Sequence, residues 1–285
     1  MDDIIPRRSA LFMPASNERA LEKAKSLPCD VVIFDLEDAV SPDAKEAART
    51  LAASAVSSGE YGRRELVIRI NAFDTPWGQE DMKAAIAAKP AAILVPKVTA
   101  ADDLIPYLQY LDNTNISLWA MMETPLAFLN AQAICAVSHK LTALVIGPND
   151  LTKDLRARRV PGRAPIMAAL STALLGGRAY GKIVLDGVYN DFRDSEGFQA
   201  ECMAARDMGF DGKTLIHPSQ IEGANEAFAP SDTEVAGAER LIAAFEAAKA
   251  AGKGVATLDG KMIEDLHVTE ARYLLSVARA ITAGE

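Results

Sequence analysis

The stretch VVIFDLEDAVSPDAKEAARTLAASAV, residues 31–56, holds two periodicities in one piece. Residues 31–34 are apolar without a polar alternate, the pattern of a strand covered on both faces as in a parallel sheet. Ser41-Pro42 break the chain, and from Lys45 onward Ala48, Ala52 and Val56 recur at helical spacing. Strand, short loop and helix make one βα unit.

The same order recurs on both sides of it. Apolar or β-branched runs stand at SALFMP (9–14), VVIFDLE (31–37), LVIRIN (66–71), AAILVPK (91–97), SLWAMME (117–123), ALVIGP (143–148), IVLDGVY (183–189) and KTLIHP (213–218). Helical Ala/Leu/Glu/Lys-rich segments separate them. Eight units of this size predict an α/β protein built as a (β/α)8 TIM barrel. A doubly wound sheet would show a glycine-rich phosphate loop after an early strand, and FMPASNE at 12–18 is not one. The barrel is assigned to 1–230. Residues 231–285 read as a C-terminal helical extension, with helices over 231–251 and 262–282 joined by a Gly-rich linker, that packs on its own barrel or on a neighbouring subunit.

With 285 residues, 49% of them hydrophobic, the chain can bury a large core. A net charge of −9 and the lack of a dense basic face argue against a nucleic-acid partner. The densest basic run, RARR at 156–159, fits a solvated or anion-binding loop. No apolar run reaches about 18 residues, so no membrane span is expected. Three widely spaced cysteines, Cys29, Cys135 and Cys202, and an N-terminus without a secretory pattern point to the cytoplasm.

In a barrel of this kind chemistry belongs at the C-terminal strand ends. Read in order, those ends carry Asp35-Leu36-Glu37-Asp38, Arg69 and Asn71, Lys97, Glu123, Asn149-Asp150, Asp186 and Asp191, and His217. Glu123 and Asp150 end neighbouring strands five and six. Two adjacent carboxylates repel unless a cation lies between them, and an all-oxygen donor set favours Mg²⁺ over Ca²⁺. The plainer alternative is a pair of solvated strand-end acids. Arg69, flanked by apolar residues, either holds a substrate carboxylate or oxyanion or pairs with Asp35 or Glu37.

The motifs RRSALFMPA (7–15), FDLEDAVSPDAKEAAR (34–49), VIRIN (67–71), ILVPKV (93–98), METP (122–125), VIGPNDL (145–151) and GFDGKTLIHPSQI (209–221) together resemble the HpcH/HpaI aldolase and citrate lyase β-subunit family, in its CitE-like acyl-CoA lyase branch. The resemblance implies that Glu123 and Asp150 bind Mg²⁺, with Mn²⁺ as a substitute, and that Arg69 binds substrate at its thioester or enolate oxygen. It implies that Glu37 and Asp38 hydrogen-bond the metal's waters. It also calls for basic residues near the mouth to meet coenzyme A, for which Arg8 and Lys45 are the candidates. Relatives carry MID in the tail, where the Asp reaches a neighbouring subunit's site. Here the stretch is GKMIEDLHVTEAR, which puts Glu264 at that point; a helix N-terminal acid is the plainer alternative.

The activity implied is Mg²⁺-dependent cleavage or formation of a malyl-CoA- or citramalyl-CoA-type β-hydroxyacyl thioester, giving an acyl-CoA and a 2-oxo acid, glyoxylate or pyruvate. The family's assembly would be a homotrimer or a hexamer. Competing expectations are a citryl or malyl thioester hydrolase, a citrate lyase β-like subunit acting on an acyl-carrier protein, and a non-catalytic acyl-CoA-binding or complex-assembly subunit. The aldolase branch, with a His in the loop after strand two, is disfavoured by DLEDAV at 35–40.

Overall fold

A computed structural model describes residues 4–252 and 255–284. Those residues fall into two compact units, 7–228 and 4–6 with 229 onward.

The first unit is a closed barrel of eight parallel strands in sequence order: β1 (Ser9–Pro14), β2 (Val31–Asp35), β3 (Glu65–Arg69), β4 (Ala92–Val95), β5 (Ser117–Met122), β6 (Leu141–Ile146), β7 (Ile183–Asp186) and β8 (Gly212–Leu215). The register Ser9↔Lys213 between β1 and β8 closes it. Seven of the strands stop one to three residues before the apolar runs do. At β2 the reason is visible: Asp35 turns back on its own loop, accepting from the Glu37 and Ala39 N–H groups at 2.9 and 3.1 Å. An aspartate that caps the next turn ends the ladder.

Alternate residues point inward. Ala10, Val31, Ile33, Val67, Leu94, Trp119, Met121, Val145 and Leu185 fill the barrel interior, with Trp119 fully buried. The opposite faces meet the helix layer; on the helix Lys45–Ser57, Ala48, Ala52 and Val56 form the buried stripe. The bottom of the barrel is closed by Arg7, whose guanidinium pairs with Glu65 and lies 5.6 Å from the Trp119 ring.

Asp186 departs from the sequence expectation. It shares a register position with Lys213, and both side chains face outward toward the helix Ser195–Met208 rather than into the mouth. Lys213 Nζ donates to Asp186 at 2.6 Å and to Glu201 at 2.7 Å, and Arg163 donates to Asp186 at 2.6 Å. Burial alone would raise the Asp186 pKa, but the two cations outweigh it and hold the carboxyl below its ordinary range.

In the second unit, Ser231 and Glu234 cap the helix Asp232–Ala250 reciprocally. A hairpin of β9 (Ala256–Leu258) and β10 (Lys261–Ile263) follows, then the helix Asp265–Gly284. The linker expected before the last helix is therefore largely hairpin, and that helix starts at 265 rather than 262. Asp259-Gly260, with φ of 50° and 78°, makes the tight two-residue turn that such a hairpin requires. Residues 253 and 254 of that linker lie outside the described residues.

Removing one partner from a buried ion network leaves an uncompensated charge. Asp186→Asn should therefore lower unfolding free energy by about 3–5 kcal/mol, read from the urea midpoint at constant m-value.

Candidate active site

The C-terminal mouth of the barrel is organised by one ion pair. Asp35 and Arg69 stand opposite each other at the ends of β2 and β3. Arg69 Nε and Nη2 donate to the two Asp35 carboxylate oxygens, both at 2.6 Å. The guanidinium lies 4.8 Å above the Phe12 ring, and its third nitrogen, Nη1, is 3.0 Å from Glu37 Oε2. Burial works against the charge, yet Asp35 and then Glu37 and Glu123 more than restore it, so Arg69 stays cationic.

Glu37 is buried and stands between two cations. Its Oε1 meets Lys97 Nζ at 2.7 Å, whereas Oε2 has no hydrogen-bond partner, its approach to Arg69 being out of line. Asp38 is exposed, 3.8 Å from Lys97 Nζ.

Glu123 follows β5 and is 4% exposed. Its Oε1 accepts the Lys97 backbone N–H at 2.7 Å. Burial pushes its pKa up to about 7; that N–H and Arg69 resist the rise, while Glu37 and Asp150 add to it. Asp150, half-buried in the first turn of the helix Pro148–Asp154, acts electrostatically on Glu123 less strongly than Glu37 does. Glu123 Oε2 faces Gly147. A Cβ on residue 147 would lie 2.4 Å from Glu123 Cβ and 2.6 Å from Oε2, so only glycine lets the β6 loop pass this close.

These positions suit a hard divalent cation. The donors are carboxylate oxygens, the buried Glu123 is strained as an anion, and the unpartnered Glu37 Oε2 can accept from a water of hydration. Among the described residues no group of three or more His, Cys, Asp or Glu gathers as a closed cage. Glu123 and Asp150 would thus be the protein's ligands, with the remaining positions open.

Two candidates are placed elsewhere. Arg8 precedes β1, at the end of the barrel opposite the mouth, where its guanidinium and backbone N–H bind Asp30 at 2.8–2.9 Å. Lys45 lies beneath the mouth loop. Its ammonium donates to the Leu36 and Glu37 carbonyls, both at 2.7 Å, and to Asn71 Oδ1 at 2.8 Å, leaving no N–H for a phosphate. Burial lowers its pKa. Both correct the coenzyme A assignment, because each cation is already paired within the fold. Glu264 belongs to the second unit, exposed just ahead of the last helix, with its N–H donating to His267 Nδ1 at 3.0 Å. From the basic run, Arg156 and Arg159 line a cleft of about 640 Å³ together with Asn149, Asp150 and Lys153.

Sequence reasoning missed the importance of Asp35, Gly147 and Lys97. Asp35 was legible as the possible partner of Arg69. Lys97, with φ of 55°, shows its role only in three dimensions.

The HpcH/HpaI aldolase/citrate lyase family model matches residues 8–218. A (3S)-malyl-CoA thioesterase of Cereibacter sphaeroides is 49% identical over 278 residues, covering 98% of this chain and 96% of its own. The citrate lyase β subunit of Escherichia coli is 32% identical, covering 95% and 93%. A crystal structure of CitE from Mycobacterium tuberculosis in complex with magnesium, acetoacetate and coenzyme A superposes with a TM-score of 0.78 at 30% identity, covering 95% of this chain and 97% of that one.

Three outcomes follow from the geometry. A carboxyl whose pKa rises on folding is penalised in its charged form, so its contribution to stability falls as pH climbs from 4.5 toward 7 and is fully lost above that. In chelator-treated protein the stability of Glu123→Gln relative to wild type should therefore grow by about 3 kcal/mol between pH 5 and 8, and a pH-independent difference would contradict this. Gly147→Ala should destabilise by about 1–3 kcal/mol through overpacking, measured by thermal melting. Gly237→Ala, in a helix with open space around it, should be neutral or slightly stabilising.

Proposed function

The chain belongs to the HpcH/HpaI aldolase/citrate lyase family, and on that premise we propose that it cleaves, or in reverse forms, a β-hydroxyacyl-CoA of the malyl-CoA type with a divalent cation, Mg²⁺ first. The observation that carries the proposal is the buried Glu123 beside Asp150, with the fixed Arg69 across the same mouth. Bound between Glu123 and Asp150, the cation would act as Lewis acid and template for the oxygens of the hydroxy acid.

The chain's own residues then have distinct tasks. Asp35 engages two of the five N–H groups of Arg69 and prevents the guanidinium from turning. The preorganised charge stabilises the thioester enolate oxygen as the carbon–carbon bond breaks. In that step the hydroxyl proton passes to water at the mouth, the bond electrons move into the enolate, and a 2-oxo acid departs, glyoxylate or pyruvate. Glu37 accepts from water at the mouth, and Asp38, exposed on the same loop, is assigned the same task. A carboxylic acid must protonate the enolate carbon. We assign that to Glu264, delivered from a neighbouring copy within a homotrimer or hexamer. The thioester carrier is coenzyme A in this reading. Three free, buried cysteines fit a cytoplasmic enzyme, and no described helix is long and apolar enough to cross a membrane.

A second reading, hydrolysis of the thioester, is favoured by the 49–50% identity to proteins named (3S)-malyl-CoA thioesterase. One assay separates the two. With malyl-CoA, β-methylmalyl-CoA and citramalyl-CoA as substrates, free thiol and 2-oxo acid are followed independently. The lyase reading expects 2-oxo acid release that EDTA and Glu123→Ala abolish, and that Arg69→Met lowers about 10²–10³-fold in kcat. Thiol without 2-oxo acid would establish the hydrolase, and silence on every substrate would overturn both.

A further inference from the structure

Three cations, Arg69, Lys45 and Lys97, meet the loop that carries Glu37, and they differ in freedom. Arg69 is clamped by Asp35, and Lys45 is enclosed by three acceptors. The Lys97 side chain is 52% exposed, yet its ends touch both carboxylates that matter. Its backbone sits in the left-handed region at φ 55°, a conformation that strains a non-glycine residue and persists only where the surroundings hold it. That conformation aims its N–H at Glu123 Oε1, 2.7 Å away. Its ammonium meanwhile reaches back to Glu37 Oε1 at 2.7 Å, and the hydrogen bond to Glu37 raises its pKa, so it is charged throughout the neutral range.

Glu37 is the third buried carboxylate of this cluster, after Asp35 and Glu123, and its Oε2 is unpartnered. Asp35 is neutralised by Arg69, but Glu37 shares only one edge of that guanidinium. Without the ammonium, Glu37 would be a buried anion with a single out-of-line cation. A divalent ion between Glu123 and Asp150 would then offer further compensation.

We propose that Lys97 is a positioning residue that keeps this a two-carboxylate site: its amide aims Glu123 at the ion, and its ammonium holds Glu37 back from becoming a third ligand. The consequence is a loosely held ion with open coordination positions, as exchange with a chelating substrate requires. The inference rests on the reading of Glu123 and Asp150 as cation ligands.

The test is Mn²⁺ binding to metal-stripped protein, followed by electron paramagnetic resonance for affinity and by water-proton relaxation for the number of exchanging waters. Lys97→Met should bind Mn²⁺ at least about 5-fold more tightly, with fewer exchanging waters, whereas Lys97→Arg should behave as wild type. Combined with Glu37→Gln, Lys97→Met should give no tightening beyond about 2-fold over Glu37→Gln alone. Lys97→Gly takes φ 55° without strain and should reproduce the Lys97→Met result, which covers the case of a variant that misfolds. Equal or weaker binding in both Lys97→Met and Lys97→Gly would overturn the proposal, as would full tightening in the Glu37→Gln background. Absence of Mn²⁺ binding by wild type, or its survival in Glu123→Ala, would instead overturn the cation-site reading and this inference with it.

Discussion

The salt bridge between Asp35 and Arg69 joins two neighbouring strands at the level where their ladder ends, and the mouth is arranged around it. A buried guanidinium in a barrel of apolar side chains needs a partner with matching geometry, and a carboxylate one strand away supplies two parallel hydrogen bonds. The same carboxylate caps the turn that carries Glu37 and Asp38. Lys45 then holds that turn from below through two of its carbonyls. Asn71, whose amide nitrogen donates to the Leu36 carbonyl and to Asp81, extends the same lattice to β3's loop. Charge, turn and strand register are thereby one cooperative unit.

The balance of charges around that unit explains why Glu123 can stay buried. Asp35 and Arg69 cancel, which leaves Glu37 and Glu123 facing Lys97 and the half-buried Asp150. The excess is negative, and it adds to the burial that already raises the Glu123 pKa. Burial of an acid beside other acids is costly in any fold, and it is tolerated here because a hydrogen-bond donor meets one oxygen and glycine leaves room beside the other.

Much of this was legible in the sequence. Eight apolar runs alternating with helical segments fixed the barrel, because a parallel strand covered on both faces leaves a continuous apolar signature. Arg69, Glu123 and Asp150 stood out because a charge at the end of such a run has few bland explanations. Strand-end position did not reveal direction. Asp186 ends β7 as Glu123 follows β5, but a shift of one residue in a two-residue repeat turns it to the helix layer. Arg8 and Lys45 were chosen as basic residues near the mouth, and pairing in space with Asp30 and with the Leu36–Glu37 carbonyls is invisible in one dimension. The hairpin at 256–263 was missed because its strands are only three residues each, although Asp259-Gly260 marks its turn.

Glu123 stands at the end of β5, but what fixes its carboxyl comes from elsewhere: the amide of Lys97 after β4 and the bare backbone of Gly147 after β6. Barrel loops are commonly treated as exchangeable parts on a rigid frame. Here three consecutive loops form a single interlocked module. Transplanting the β5 loop alone into another barrel would carry the carboxylate without its orientation, and an insertion after β4 or β6 would disturb a residue it never touches in sequence. Loop grafting between barrels would have to move these three segments together.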